Sequence, residues 1–288
     1  MTRTLLLAAC LGGLSGPAAA GETACWFENN VVVVAAEVMG VSGDFILDTA
    51  TPHTQLGDSQ AQTAGYAETA LTGEVRVAGL VLAARPVAVA NLDMRTGALP
   101  TPIAGVIGAD VLRDYVLDVS FAPCRVALRT SGQAGPFPSR VTLPIAWTAD
   151  RPVVDATVSD GTRTLTGAFT LATGGDTAVR LSDALAAAPG AAKPKELYPY
   201  GVLFPHLRAL SFAGSFSENL AAGLVAAEDP GLAGELGTPL LSRWRLRFDF
   251  PRSRLLLAET KKGPAQAEAP DVGGACASAP RSSRPSCS

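Results

Sequence analysis

The chain has 288 residues, with 23 Lys and Arg against 26 Asp and Glu, and its formal net charge is −3. This balance gives no electrostatic reason to expect nucleic acid or an anionic membrane surface as a partner. Hydrophobic residues make up 48% of the chain but aromatic residues only 6%, so the core must be built from small aliphatic side chains. The 29 Gly and 21 Pro are spread without a period, which indicates a turn-rich β protein and excludes collagen, coiled coil and general disorder.

Residues 1–20 have the pattern of a cleaved secretory signal peptide. Arg3 is followed by an apolar stretch at residues 5–14, and a small-residue ending of three alanines precedes Gly21. The apolar stretch is too short to span a bilayer, and we expect no transmembrane segment later in the chain. An alternative is a lipid anchor, because Cys10 and the three residues before it resemble a lipobox. Both readings predict a periplasmic or secreted protein.

The other four cysteines fit an oxidising compartment. They are Cys25, Cys124, Cys276 and Cys287, and an even number in an exported chain suggests two disulfides with three possible connectivities. Proximity along the chain favours Cys276 with Cys287, which leaves Cys25 with Cys124. With no Cys-x-x-Cys motif and only two histidines, we expect no metal centre.

The first half of the mature chain predicts β-strands joined by tight turns. A β-branched run at residues 31–38 is followed by a glycine-containing turn signal and a second apolar segment, which is typical of a hairpin. The elements predicted after this hairpin are strands at 75–77 and 86–89, a short helix at 109–114, and closing strands at 117–120 and 126–128.

The second half repeats this order of elements. Its predicted elements are a strand at 153–158, helices at 181–188 and 238–243, and closing strands at 246–250 and 255–257. Residues 103–128 align with residues 232–257 without a gap, and residues 43–50 align with residues 167–174. The period is far too long for a solenoid, so the repeat predicts two duplicated lobes.

We therefore divide the chain into four parts. They are a signal peptide (1–20), an N-terminal lobe (21–134), a C-terminal lobe (135–258) and a flexible tail (259–288). The tail is rich in Pro, Ala, Ser and Gly and cannot bury enough apolar surface to order itself. The aspartates of the closing strands, Asp118 and Asp249, are expected to be solvated.

The candidate for chemistry is Asp48. It follows the apolar segment Phe45-Ile46-Leu47 directly and precedes Thr49-Ala50, where the chain must turn sharply. A charged group at the end of a buried strand is costly unless it is paired or used. The alternative role for Asp48 is a turn cap that accepts backbone N–H groups.

This turn resembles the active-site turn of the retropepsin and pepsin families of aspartic proteases. In those families an Asp-Thr-Gly turn follows a hydrophobic strand, and a hydrophobic-hydrophobic-Gly element comes later in the lobe. Here that element is Val106-Ile107-Gly108 in the first half and Glu235-Leu236-Gly237 in the second. The resemblance covers residues 30–258. It implies an all-β hydrolase fold of two lobes with a few short helices, whose cleft accepts an extended peptide or protein segment without a cofactor.

The sequence departs from the family pattern at two positions. In the family each lobe supplies one aspartate, and the two carboxyl groups share a proton and activate a water molecule. Here Ala172 occupies the position of the second aspartate, and Ala50 replaces the glycine of the first turn. A shifted register that aligns Asp176-Thr177-Ala178 with Asp48 would restore a dyad, but no apolar strand precedes Asp176.

The second turn continues with Thr173 and Gly174. By the resemblance, Thr49 and Thr173 hydrogen-bond the two turns to each other; alternatively they are ordinary strand threonines. Glu235 stands in a slot that is apolar in the first lobe, so its side chain either turns to solvent or projects into the cleft and partly replaces the missing charge. His53 has no serine or cysteine elbow beside it, and we assign it no role.

Two functions remain open at this point. The first is an aspartic endopeptidase, with weak or absent peptide-bond hydrolysis that depends on Asp48. The second is a pseudoenzyme that binds peptides or proteins, or serves as an envelope structural module. Ala172 favours the second behaviour, because a lone carboxylate has no acid partner to protonate the leaving amine. We expect a monomer.

Overall fold

The computed structural model describes residues 21–159, 164–183, 206–226, 229 and 231–260. The predicted signal peptide, the lipobox cysteine and the predicted Cys276–Cys287 disulfide lie outside these residues. No helix in the described part of the chain is long and apolar enough to cross a bilayer.

The first half contains nine described strands and three short helices. In chain order they are β1 (Glu22–Glu28), β2 (Val31–Val38), β3 (Val41–Leu47), β4 (Gln55–Gly57), α1 (Asp58–Thr63), β5 (Ala70–Val77), β6 (Leu80–Ala90), α2 (Asp93–Thr96), β7 (Ile103–Ile107), α3 (Ala109–Leu112), β8 (Val116–Phe121) and β9 (Cys124–Arg129).

The second half repeats much of this order in its described residues. The elements are β10 (Val141–Pro144), β11 (Ala146–Thr148), β12 (Arg151–Ser159), β13 (Thr164–Ala172), β14 (Val179–Ser182), β15 (His206–Phe212), β16 (Ser215–Val225), β17 (Gly234–Gly237), α4 (Thr238–Leu241), β18 (Trp244–Asp249), a 3-10 turn (Phe250–Arg252) and β19 (Arg254–Glu259).

The described strands form two sheets. The larger has the order β10-β19-β18-β8-β9-β1-β2-β3-β7-β4-β6-β5, and the smaller has the order β11-β12-β13-β17-β14-β16-β15. The closing strands of the two halves meet in the larger sheet, where β18 pairs antiparallel with β8 and places Leu246 opposite Val119. The two lobes therefore share one continuous sheet.

The duplicated segments of the sequence occupy equivalent places in the two lobes. In the first lobe β3 runs parallel to β7 and pairs Phe45 with Gly105; in the second, β13 runs parallel to β17 and pairs Phe169 with Gly234. Both phenylalanines are fully buried. The all-β, two-lobed fold predicted from the repeat is confirmed.

Three local predictions need correction. The predicted helix at 181–188 is wrong at its start, because Leu181 and Ser182 belong to β14, which pairs with β16 and β17. Short helices α1 and α2 were not predicted; each has only a turn or two, too short for a hydrophobic period to show. The other two predicted helices lie at α3 and α4.

The third correction concerns the closing-strand aspartates, which are not solvated. Asp249 is buried and accepts a hydrogen bond of 2.6 Å from Arg254, which lies opposite it in the register of β18 and β19. Asp118 is half-buried and accepts two hydrogen bonds, of 2.6 and 2.7 Å, from Arg247, its cross-strand partner on β18. Cross-strand pairing with arginine allows both carboxylates to leave bulk water.

A disulfide joins the first strand of the lobe to its last. β1 pairs with β9 and sets Ala24 opposite Arg125, and the Cα atoms of Cys25 and Cys124 are 5.0 Å apart. The predicted Cys25–Cys124 pairing is confirmed.

We expect the double substitution Cys25→Ser/Cys124→Ser to lower the free energy of unfolding by about 2–5 kcal/mol, because the bond closes a loop between residues 99 positions apart. Denaturant unfolding of the variant beside the oxidised wild type measures this loss. A non-reducing peptide map in which Cys25 is linked to a tail cysteine would contradict the assignment.

Candidate functional site

The two active-site-like turns are held together by a reciprocal set of hydrogen bonds. The N–H of Thr49 donates to Oγ1 of Thr173 over 3.1 Å, and the N–H of Thr173 donates to Oγ1 of Thr49 over 3.4 Å. The Thr173 hydroxyl donates to the Leu47 carbonyl over 2.7 Å, and the Thr49 hydroxyl donates to the Leu171 carbonyl. Both threonines are fully buried, so their polar groups need hydrogen-bond partners, and these four bonds supply them across the lobe boundary.

The carboxylate of Asp48 lies beside this junction and is only 4% exposed. Its Oδ1 accepts the N–H of Ala50 at 3.0 Å and the N–H of Gly174, from the other lobe, at 3.1 Å. Its Oδ2 accepts the hydroxyl of Thr51 at 2.6 Å and Nη2 of Arg95 at 2.5 Å. A carboxylate offers about four acceptor directions, and protein groups occupy four here.

These partners determine the ionisation of Asp48. Burial disfavours the charged form, but the Arg95 guanidinium, the Thr51 hydroxyl and the N–H groups of Ala50 and Gly174 outweigh burial and hold the pKa of Asp48 below its usual range. Asp48 is therefore ionised at neutral pH.

No carboxylate stands at the second-lobe position that corresponds to Asp48. Ala172 ends β13, opposite Gly237 of β17, and is buried. The shifted register that would use Asp176 is wrong, because Asp176 is exposed and forms an ion pair of 2.5 Å with Arg180.

Glu235 projects into the cleft. It lies opposite Arg180 in the register of β14 and β17, and its Oε1 accepts a hydrogen bond of 3.2 Å from Nη1 of Arg180. Its carboxyl group is close to the place of the missing aspartate: a methyl group added at Gly175 would lie 2.7 Å from Glu235 Oε1 and 2.9 Å from Cβ of Ala172. Burial raises the pKa of Glu235 and the charge of Asp48 adds to the shift, while Arg180 opposes it.

The glycine of each hydrophobic-hydrophobic-Gly element is required by a close backbone approach. A Cβ at Gly108 would lie 2.6 Å from the backbone carbon of His53, and a Cβ at Gly237 would lie 2.1 Å from the backbone oxygen of Thr177. Each glycine lets the chain that leaves the active-site-like turn pass directly over β7 or β17. The equivalent close approach in both lobes explains why both elements end in glycine.

Between the lobes lies a cleft of about 630 Å³. Asp48, Arg95, Asp176, Arg180 and Glu235 supply charges to its lining. At its edge are the exposed His53 and Met94, the latter 79% exposed. The described residues contain no group of three or more His, Cys, Asp or Glu side chains that could hold a metal ion.

Sequence reasoning missed three residues of this site: Thr51, Arg95 and Arg180. Thr51 is close to Asp48 in the chain and could have been found as a turn hydroxyl. Arg95 is 47 positions from its partner on the four-residue helix α2, and Arg180 is 55 positions from Glu235. No local pattern marks such a pair.

Comparison with solved structures agrees with the fold described above. An aspartic proteinase from Irpex lacteus superposes with a TM-score of 0.52 at 17% identity, and the match covers 84% of this chain and 97% of that one. The chain has the pepsin-like aspartic proteinase fold. Basic 7S globulin from soybean matches at 11% identity, covering 83% of this chain and 94% of its own, with a TM-score of 0.47. No protein-family model and no curated protein matches the sequence.

The cross-lobe threonine bonds of this pepsin-like fold give a stability prediction. Thr49→Val should lower the free energy of unfolding by about 1–3 kcal/mol, because it leaves the N–H of Thr173 buried without an acceptor. Thr157→Val is the matched control: Thr157 also bonds another threonine, Thr166, but on an exposed sheet face, so its loss should stay within about 0.5 kcal/mol. Equal losses in denaturant unfolding would show that the cross-lobe bonds carry no special weight.

The lowered pKa of Asp48 gives a pH prediction. An ionised Asp48 contributes stability that is fully present above the unfolded-state pKa of about 3.9 and is lost as the pH falls through the lower folded-state pKa. Asp48→Asn removes this contribution, so the variant should be less stable than wild type by about 1–3 kcal/mol at neutral pH, and the gap should close in acid.

The control is Asp155→Asn, which changes an exposed aspartate on β12. Its stability should follow that of wild type at every pH. Urea unfolding between pH 2 and pH 7 makes the comparison, and a stability gap for Asp48→Asn that widens in acid would show that the folded-state pKa is raised instead.

Proposed function

We propose that this protein is exported, binds extended peptide or protein segments in its interlobe cleft, and hydrolyses peptide bonds weakly or not at all. The observation that carries this proposal is the occupancy of the Asp48 carboxylate. Two backbone N–H groups, one hydroxyl and one guanidinium fill its acceptor directions.

A hydrolytic water needs a base that can hold it and take its proton. A general base works when it lies within hydrogen-bond reach of the water and has a pKa near the working pH. Asp48 has no unused acceptor direction for water, and its pKa is lowered. Ala172 supplies no acid to the leaving amine. Activation of the water and protonation of the leaving amine are therefore both impaired.

Binding does not need either of these steps. The cleft volume of about 630 Å³ is within the range of small-ligand sites and suits a few residues of an extended segment. Its lining combines ion pairs with the exposed side chain of Met94, and so offers both polar and apolar contacts. The fold likeness to an aspartic proteinase supports a peptide as the occupant, since such an enzyme acts on peptide bonds.

Residual hydrolysis requires Arg95 to move away from Asp48. The Arg95 side chain is 29% exposed and stands on the short helix α2, so its departure would free Oδ2 of Asp48 for water. Such activity would depend on Asp48. The Cys25–Cys124 disulfide and the signal-like residues 1–20 support a periplasmic or secreted location, because disulfides persist in oxidising compartments.

The test uses purified protein and a mixed library of unstructured peptides, incubated from acid to neutral pH. We expect library members to be retained by the protein in equilibrium binding and to be recovered uncut by mass spectrometry. Any trace cleavage should fall by about two orders of magnitude in Asp48→Asn and remain unchanged in the exposed control Asp155→Asn.

Three outcomes would contradict the proposal. Rapid cleavage by the wild type would show that the Asp48 site is competent despite its bonds. Cleavage that survives Asp48→Asn would place the chemistry elsewhere. Failure of the wild type to retain any peptide would remove the binding function.

A further inference from the structure

Glu235 has a carboxyl oxygen in the cleft without a partner in the described part of the chain, whereas both oxygens of Asp48 have partners. Glu235 uses Oε1 to accept the hydrogen bond from Arg180. Its other oxygen, Oε2, has no hydrogen-bond partner among the residues that the structure describes. The aspartate that sequence reasoning singled out is fully engaged, whereas the glutamate is available to a ligand.

The position of Glu235 is built by two small residues. Gly175 leaves the space between Glu235 Oε1 and the Cβ of Ala172, since a methyl group there would contact both within 3 Å. Ala172 in turn leaves room where a second aspartate would project. The glutamate side chain, which comes from the neighbouring strand β17, therefore places its carboxyl group in the cleft beside Ala172.

We propose that Glu235 is the residue that contacts the bound segment, and that its carboxyl group donates a hydrogen bond from Oε2 to a backbone carbonyl oxygen of an extended peptide. This inference rests on the proposed peptide-binding function. Glu235 is the group in the cleft that contacts the ligand, and a backbone carbonyl oxygen is the feature of the ligand that it recognises.

The charges around Glu235 are consistent with a neutral carboxyl group. Arg180 faces it from β14 and is shared with Asp176 of the adjoining turn, while Asp48 and Arg95 face it from the first lobe as an ion pair. The facing part of β13 has no titratable side chain. Burial raises the pKa of Glu235, and Arg180 does not offset this shift. A protonated carboxyl group has one O–H donor, which Oε2 can carry while Oε1 accepts from Arg180.

The protonation of Glu235 determines how peptide binding depends on pH. Peptide binding should be strongest while Glu235 is protonated and should fall as the pH rises through its raised pKa, because the ionised form has no proton to donate and repels a carbonyl oxygen. Glu235→Gln carries a permanent N–H donor in nearly the same shape. It should bind as well as the protonated wild type and should lose this pH dependence.

The experiment measures fluorescence anisotropy of a fluorescein-labelled pool of random decapeptides between pH 4 and pH 8. Glu235→Ala should bind about five- to tenfold more weakly than wild type in acid, the value of one hydrogen bond to a half-buried group. Glu218→Ala, which changes an exposed glutamate on β16, is the matched control and should leave the curve unchanged. The pH profile of Glu235→Gln gives the same test if Glu235→Ala does not fold.

A second readout needs no peptide. Carbon-detected NMR of the glutamate Cδ signals should show one titration above the usual value of about 4.3, absent from Glu235→Gln. If Glu235 titrates at its usual value, the proposal is overturned. Equal binding and equal pH profiles in all variants overturn the role of Glu235 but leave peptide binding standing. Absence of binding by both wild type and Glu235→Gln overturns the peptide-binding function, and the role of Glu235 falls with it.

Discussion

The hydrogen bonds that cross between Thr49 and Thr173 fix the geometry on which the rest of the cleft depends. Each threonine gives its hydroxyl proton to a carbonyl at the end of the opposite strand and accepts the backbone N–H of its counterpart. Because both residues are fully buried, neither lobe can shift without leaving polar groups unpaired in an apolar interior. The bond from the Gly174 N–H to Asp48 depends on this registration of the two turns.

At the same junction the fold keeps a buried, charged carboxylate but removes its ability to hold a catalytic water. The buried charge of Asp48 is made tolerable by saturating it with donors, and saturation removes the lone pair that a catalytic water would use. Glu235 has fewer hydrogen-bond donors than Asp48, because its donor is a single arginine shared with Asp176, and one of its oxygens is unpaired in the described part of the chain. The pKa values of two carboxyl groups in one cleft are thus shifted in opposite directions, because burial is offset by hydrogen-bond donors at Asp48 and is not offset at Glu235.

The features that the sequence predicts correctly are those marked by a short local pattern or by the internal repeat. The Asp48 turn and the Gly108 and Gly237 elements followed from short patterns and from the internal repeat, and the disulfide followed from the spacing of the cysteines. The position of Ala172 followed from the alignment of the two halves. Arg95 could not be predicted, because its partner is brought to it only by the folded lobe. The helix predicted at 181–188 begins with residues that belong to a strand, because a short apolar run fits either element.

The shared sheet affects how the protein acquires its structure. Strands β18 and β19, near the end of the described chain, join the larger sheet through β8, so Leu246 pairs with Val119, which lies 127 positions earlier in the chain. Such non-local pairing carries a large loop-closure cost before it yields any stabilisation, which slows folding. The larger sheet can be completed only after the second lobe has been synthesised, because β10, β18 and β19 come from that lobe.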